Sequence, residues 1–409
     1  MTTTRPLITA WSLFLGIALL QAGVGLQRPL LGLRAEVEGF APITTSLVMT
    51  AYYAGFVLGT RYVGKILDAV GHIRTFAGLA SLASTIVLVQ GLWVTPWSWG
   101  LCRLTFGVCV AALYVVAESW LNDFADNSNR GGLLSSYMVV AVAATMLGQY
   151  SIGLAAVTEF TLFAVASIMV SMSLIPVALS KRAAAPVGIP EPITFQRLHS
   201  IVPTGIVICG LSGMTLGTLI GLGPVYGSSQ GWSAVQIANF VGAPLAGSVV
   251  LQIPLGRLSD RVPRRGVMVI CALGATISCL IASQLDGRSI LSLILLFLLG
   301  GLALPLYSMS VAYTNDWLEQ QERTAAAALL IRMHGVGSFL GPLIAGLLLG
   351  IDLKAYFYFP VLIFATMTLY LMYRISFHAA PNLESQTTFM PFPLRASRMV
   401  SEMFGREKR

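Results

Sequence analysis

Apolar runs of twenty residues or more, separated by short polar stretches, recur from one end of this chain to the other. They cover residues 7–27, 41–63, 73–94, 97–121, 132–156 and 159–180, and then 201–226, 234–256, 266–285, 289–313, 324–350 and 355–376. At a helical rise of about 1.5 Å per residue, each run is long enough to cross a hydrocarbon core of about 30 Å. Backbone groups in hydrocarbon must be satisfied within the protein, so only helices or a closed barrel can span it. The runs are continuous and lack the alternation of a barrel strand, which predicts helices. The expected fold is therefore all-α and membrane-integral, with 12 transmembrane helices. The first run is too long for a typical signal-peptide core and others follow it, so it counts as the first span.

The polar positions between the runs repeat. At an offset of 192 residues, Ala54-Gly55 meets Ala246-Gly247, and Gly64-Lys65-Ile66-Leu67-Asp68 meets Gly256-Arg257-Leu258-Ser259-Asp260. At 193 residues, Gly107 meets Gly300, Tyr114 meets Tyr307, Asn122-Asp123 meets Asn315-Asp316, Arg130 meets Arg323 and Gly148 meets Gly341. A unit repeated in the same orientation predicts two pseudo-symmetric six-helix bundles that rock about a shared midplane site. The expected division is 1–180 for the first bundle, 181–200 for a linker, 201–376 for the second bundle and 377–409 for a tail. The linker KRAAAPVGIPEPITFQRLHS is polar with three prolines, and the tail is polar and proline-containing.

Composition agrees with the pattern. The 409 residues are 56% hydrophobic and 10% charged, with a mean hydropathy of +0.78, against roughly a quarter charged in soluble domains. Charge fixes the expected orientation. Lys65, Arg74, Arg130, Lys181, Arg182, Arg197, Arg257, Arg261, Arg264, Arg265 and Arg323 fall on one set of alternate loops, with Arg5 and the basic tail. The opposite loops hold little besides Arg28, Arg34, Arg288 and Lys354. By the positive-inside rule both termini are cytoplasmic, in a cell inner membrane. The net charge of +8 then needs no nucleic acid; attraction of the tail to anionic lipid accounts for it. Trp93, Trp97 and Trp99 read as an outer aromatic belt. Cys102, Cys109, Cys209, Cys271 and Cys279 all fall within spans and read as core packing. The chain carries no GxxxxGK[ST] loop, HExxH pair or serine elbow, and no Asp or His cluster at one membrane face. No enzymatic activity, cofactor or metal is expected, and any active transport must draw on a gradient.

The segment Gly64 to Arg74, with Asp68, Gly71 and His72, resembles the loop signature of the major facilitator superfamily, roughly G-x-L-x-D-R-x-G-R. Gly256-Arg257-Leu258-Ser259-Asp260-Arg261-Val262-Pro263-Arg264-Arg265 is its second copy. Glycine permits close helix approach, and the Asp can accept from N–H groups at a neighbouring helix end while basic residues hold it at the surface. Ala69, His72 and Pro263 depart from the pattern. Arg103-Leu104-Thr105-Phe106-Gly107 resembles the superfamily's R-x-x-x-G element. Val115 to Asp123, Asn129-Arg130-Gly131, Tyr137-Met138 and Gly148-Gln149 are similar to the poorly characterised YcaD-type branch. The resemblance implies a secondary transporter, often proton-coupled, acting as a monomer on a small-molecule substrate.

Several polar residues fall inside spans. In the fourth, Arg103, Gly107, Ala111, Tyr114 and Glu118 share one helix face, with Arg103 and Glu118 about 22 Å apart along the axis. An intramembrane arginine costs at least ~2.5 kcal/mol and needs partners. Arg103 is either fixed by carbonyls or Gln21, or changes partner as substrate or protons move. Glu118 reads as a cytoplasmic-gate pair with Arg74 or Arg130, or as a proton carrier. In the eleventh span Arg332 lies about 13 Å inside Arg323, near the midplane, and His334 faces another way. Arg332 is the candidate for the cavity, because a guanidinium is hard to place against lipid and binds carboxylate or phosphate. His334 reads as a packing histidine or a proton relay. Gln21, Tyr53, Gln149, Gln252 and Tyr307 are lesser substrate candidates beside Tyr114. With two arginines and no mid-span carboxylate, the substrate leans towards a small organic anion or amphipathic compound, moved by alternating access. Multidrug efflux by proton antiport, or a non-transporting sensor or scaffold on the same fold, are the alternatives.

Overall fold

A computed structural model describes residues 11–124, 130–178 and 193–378, together with Gln386 and Phe389. The chain runs α1 (Trp11–Val37), α2 (Pro42–Val70), α3 (His72–Leu92), α4 (Pro96–Phe124), α5 (Arg130–Tyr150), α6 (Thr161–Met172) and α7 (Leu174–Ala178). It continues through α8 (Phe195–Ile201), α9 (Pro203–Ser229), α10 (Ala234–Arg261), α11 (Arg264–Ala282), α12 (Ile290–Ala303), α13 (Pro305–Asn315), α14 (Gln320–Leu349) and α15 (Ala355–Phe377). Among the described residues, 12 helical segments are long and apolar enough to cross a membrane. Two expected spans are each broken in two. The tenth divides at Leu304, where Pro305 opens α13 and cannot donate a backbone bond; the sixth divides at Ser173.

By contact the chain forms two compact units. One holds Met1–Ile189 and Pro224–Ala238, the other Pro190–Gly223 and Asn239–Arg395. In the first, α2 packs on α4, α1 on α5 and α6, and α3 on α4 and α6; in the second, α11 packs on α12 and α15, and α13 on α14.

Glycines set the tightest crossings, and here the sequence repeat becomes physical. Where α2 crosses α4, a methyl at Gly55 would overlap the Leu104 carbonyl, and one at Gly107 the Tyr52 carbonyl. Where α10 crosses α12, Gly247 faces the Phe297 carbonyl and Gly300 the Pro244 carbonyl. The same holds for Gly148 against Ala22 (α5 on α1) and Gly341 against Met214 (α14 on α9). Each pair maps onto its counterpart at the 192- or 193-residue offset. Backbones this close are how helices associate in lipid, where there is no hydrophobic drive between them.

Two surface expectations are corrected. Arg28 is no loop residue: α1 continues past it, and its side chain is buried. Trp93 and Trp97 are exposed, as a belt requires, but Trp99 is buried against Phe40 and donates its indole N–H to the Gln90 carbonyl at 2.9 Å. All five cysteines are buried and free.

Candidate functional site

In the first unit, buried polar side chains gather around Arg103, which is 2% exposed. Its guanidinium donates to Gln27 Oε1 at 3.0 Å and lies 4.6 Å from the centre of the Tyr52 ring. Gln27 Nε2 in turn donates to Gln90 Oε1 at 2.7 Å. The direction of this chain is dictated by chemistry: an arginine can only donate, so it must meet the amide oxygen of Gln27 and leave the nitrogen for Gln90. Arg28 approaches the same ring, at 6.0 Å. The expected partner of Arg103, Gln21, is engaged elsewhere, accepting from Tyr114 Oη at 2.5 Å. Gln27, Gln90 and Tyr52 are not among the sequence candidates, and Arg28 is expected there only as a loop charge. The consecutive Gln27-Arg28 pair is the sequence signal for this cluster, and it lies well inside a helix that runs to Val37.

Further along α4, Glu118 is fully buried and accepts from Tyr137 Oη of α5 at 3.2 Å. Arg74, at the start of α3, is exposed and makes no ion pair among the described residues. The side chains of Gly64, Asp68 and Arg130 lie outside the described residues. His72 sits at the head of α3 and bonds Ser119 Oγ at 2.9 Å, beside the Trp120 ring. Gln149 is buried, with neither amide atom hydrogen-bonded among the described residues.

In the second unit, His334 is buried and packs against Tyr307 with the rings tilted by 32° and their centres 4.2 Å apart; its Nδ1 lies 3.3 Å from both Ser212 Oγ and the Cys209 carbonyl. Arg332 is exposed and has no hydrogen bond or ion pair among the described residues. Gln252 donates to Ser308 Oγ at 3.0 Å. At the loop signature, Arg264 is buried between two carboxylates, 3.1 Å from Asp260 and 2.8 Å from Asp316, and also donates to Ser259. Gly256 lies against the ring of Phe389, and Arg261 is exposed. The structure thus joins Arg103 with Gln27 and Gln90, Tyr114 with Gln21, Glu118 with Tyr137, and His334 with Tyr307.

The model of the Major Facilitator Superfamily matches residues 13–238 and 205–406. The chain belongs to that superfamily. This facilitator is 28% identical over 358 residues to an uncharacterized MFS-type transporter of Enterobacter sp. (strain 638), covering 85% of this chain and 90% of that one. It is 27% identical over 360 residues to the uncharacterized MFS-type transporter YcaD of Escherichia coli O7:K1, with the same coverage. Its fold matches the nucleoside transporter NupG with a TM-score of 0.70 at 11% identity, over 92% of this chain and 100% of that one. A bacterial homolog of the human lysosomal transporter Spinster matches at 0.74 and 12% identity, over 95% and 99%. The protein is a multi-pass facilitator-type transporter that takes a small-molecule substrate, and not an enzyme.

Proposed function

We propose that this facilitator couples proton movement to the transport of a small organic anion or amphipathic compound by alternating access, in a cell inner membrane with both termini cytoplasmic. The observation that carries the coupling is Glu118: a carboxyl group fully buried within α4, hydrogen-bonded by Tyr137. An ionised carboxylate taken out of water is costly unless hydrogen bonds and neighbours compensate. A change in its surroundings as the bundles rock would therefore take up or release a proton. Of the two gate partners expected for Glu118, Arg74 is exposed and the side chain of Arg130 lies outside the described residues. The anion preference rests on Arg332, a guanidinium on α14 about 13 Å inside Arg323 whose donors are open to a carboxylate or phosphate. Arg103 is already held by Gln27 and Tyr52, which favours a fixed, positioning role.

The test is uptake into proteoliposomes from a panel of mono- and dicarboxylates, aromatic acids and nucleotides, with and without an imposed pH gradient. Gradient-driven accumulation of at least one anion, abolished by a protonophore and reduced tenfold or more in Arg332→Ala, is expected. Accumulation indifferent to the gradient removes proton coupling; wild-type uptake by Arg332→Ala removes that residue's role.

A further inference from the structure

The hydrogen-bonded chain of side chains in the first unit has a direction, and it ends on an open donor. Arg103 can only donate, so Gln27 presents its amide oxygen to it at 3.0 Å. Gln27 is left with its nitrogen, which donates to Gln90 Oε1 at 2.7 Å. Gln90 must then present its own nitrogen onward, and that Nε2 is buried with no acceptor among the described residues. The amide cannot turn over to hide it, because Gln27 Nε2 would then face a second donor. Gln90 is also anchored from behind. Its backbone carbonyl accepts from the Trp99 indole at 2.9 Å, and Trp99 packs on Phe40.

A buried donor so firmly placed calls for an acceptor. The surroundings say of what kind. Arg28 and Arg103 are both buried, and their guanidiniums lie 6.0 and 4.6 Å from the centre of one ring, Tyr52. The described carboxylates of this unit stand elsewhere: Glu36, Glu38 and Glu159 are exposed, and Glu118 is about 22 Å from Arg103 along α4. A water could accept from Gln90 but brings no charge, whereas an oxyanion answers the amide and the guanidiniums together. The way in is short. Arg28 stands about 9 Å along α1 from Arg34, which pairs with Glu38 just past the helix end.

We propose that Arg28 and the Gln90 amide form a binding site for one small oxyanion group, a carboxylate or a phosphate, with Gln27 and Arg103 positioning the amide. Arg28 supplies the charge and a planar fork that matches two oxygens, and Gln90 Nε2 supplies the neutral donor beside it. Arg332 belongs to the other unit, and occupancy of this site depends neither on proton coupling nor on the route of transport.

The test is benzoate binding by saturation-transfer NMR to the full-length protein in a phosphate-free maltoside detergent. It is read in the Arg332→Ala background, so that the anion contact proposed above contributes nothing. Benzoate should bind saturably and be displaced by inorganic phosphate. Gln90→Glu keeps the acceptor for Gln27 and sets a fixed carboxylate beside the guanidiniums. It should weaken benzoate binding about tenfold or more, and raise the anion-free unfolding midpoint. Arg28→Gln should weaken binding by about the same factor. Displacement by phosphatidylglycerol but not by free phosphate would assign the oxyanion to a lipid headgroup. Absence of saturable binding in the background, or unchanged affinity in Gln90→Glu or Arg28→Gln, overturns the site. A lower midpoint in Gln90→Glu also counts against it, since the surroundings of Gln90 would then reject negative charge. Uptake indifferent to Arg332→Ala would remove the role proposed for Arg332 and leave this result as it stands.

Discussion

Where α2 crosses α4, Gly55 and Gly107 face backbone carbonyls, and where α10 crosses α12, Gly247 and Gly300 do the same. One turn along α4 the likeness ends. Arg103 there reaches Gln27 over the Tyr52 ring, whereas the repeat places Leu296, fully buried, at the matching position of α12. Gln27 itself is matched by Leu219, and Glu118 by Val311. Backbone crossings are constrained by how closely two helices must approach, so both halves keep them. Buried charge is constrained only by having partners, so one half can hold a network that the other lacks.

The largest effect should come from the shared crossings. Alanine at Gly107 or Gly300 places a methyl on a backbone carbonyl and should cost on the order of 3 kcal/mol, read as lost folded yield and a lower unfolding midpoint in detergent. Gly78→Ala, with open space around it, is the control and should change stability by no more than about 1 kcal/mol. Equal tolerance at all three sites would break the comparison.

Next is the network around Arg103. Gln27→Leu removes the acceptor of Arg103 and the donor to Gln90, and should cost about 2–3 kcal/mol. Adding Arg103→Met should cost less than the sum of the two single changes, because both remove the same shared hydrogen bond. Strict additivity would mean that the two side chains act independently.

A smaller effect is expected in the second half, where His334→Phe keeps the ring contact with Tyr307 and loses the Nδ1 contacts, at about 1 kcal/mol. The smallest lies on the exposed loop before α12. Hydrogen bonds from Arg288 pull the Asp286 carboxyl down to about 2. A depressed carboxyl contributes above its ordinary range and loses that contribution as pH falls from about 4 towards about 2. On so exposed a pair Asp286→Asn should leave the unfolding midpoint at pH 7 unchanged; a clear drop would show the loop to be a structural tie.

Much of the architecture is legible because the membrane permits few solutions: the apolar runs predict twelve spans, and glycines paired by the repeat lie at helix crossings that only the structure shows. Boundaries were less so, since α1 and α2 extend well past their apolar cores, to Val37 and Val70. The apolar run stops at 27, so Arg28 reads as a loop residue although the helix carries it into the interior. The interior network was illegible for a different reason. Gln27, Gln90 and Tyr52 come from three helices, and only packing shows that they converge on Arg103. The same is true of Phe389, whose sequence neighbours are polar and proline-rich and whose partners lie about 130 residues upstream.

Proton coupling through Glu118 is tested most directly by separating net flux from exchange. Proteoliposomes loaded with a transported anion and a pH-reporting dye would be compared for wild type and Glu118→Gln. The account predicts that the variant loses anion-driven proton movement and gradient-driven accumulation while still exchanging labelled for unlabelled anion at a rate within about threefold of wild type. Proton movement that persists undiminished in Glu118→Gln would contradict it.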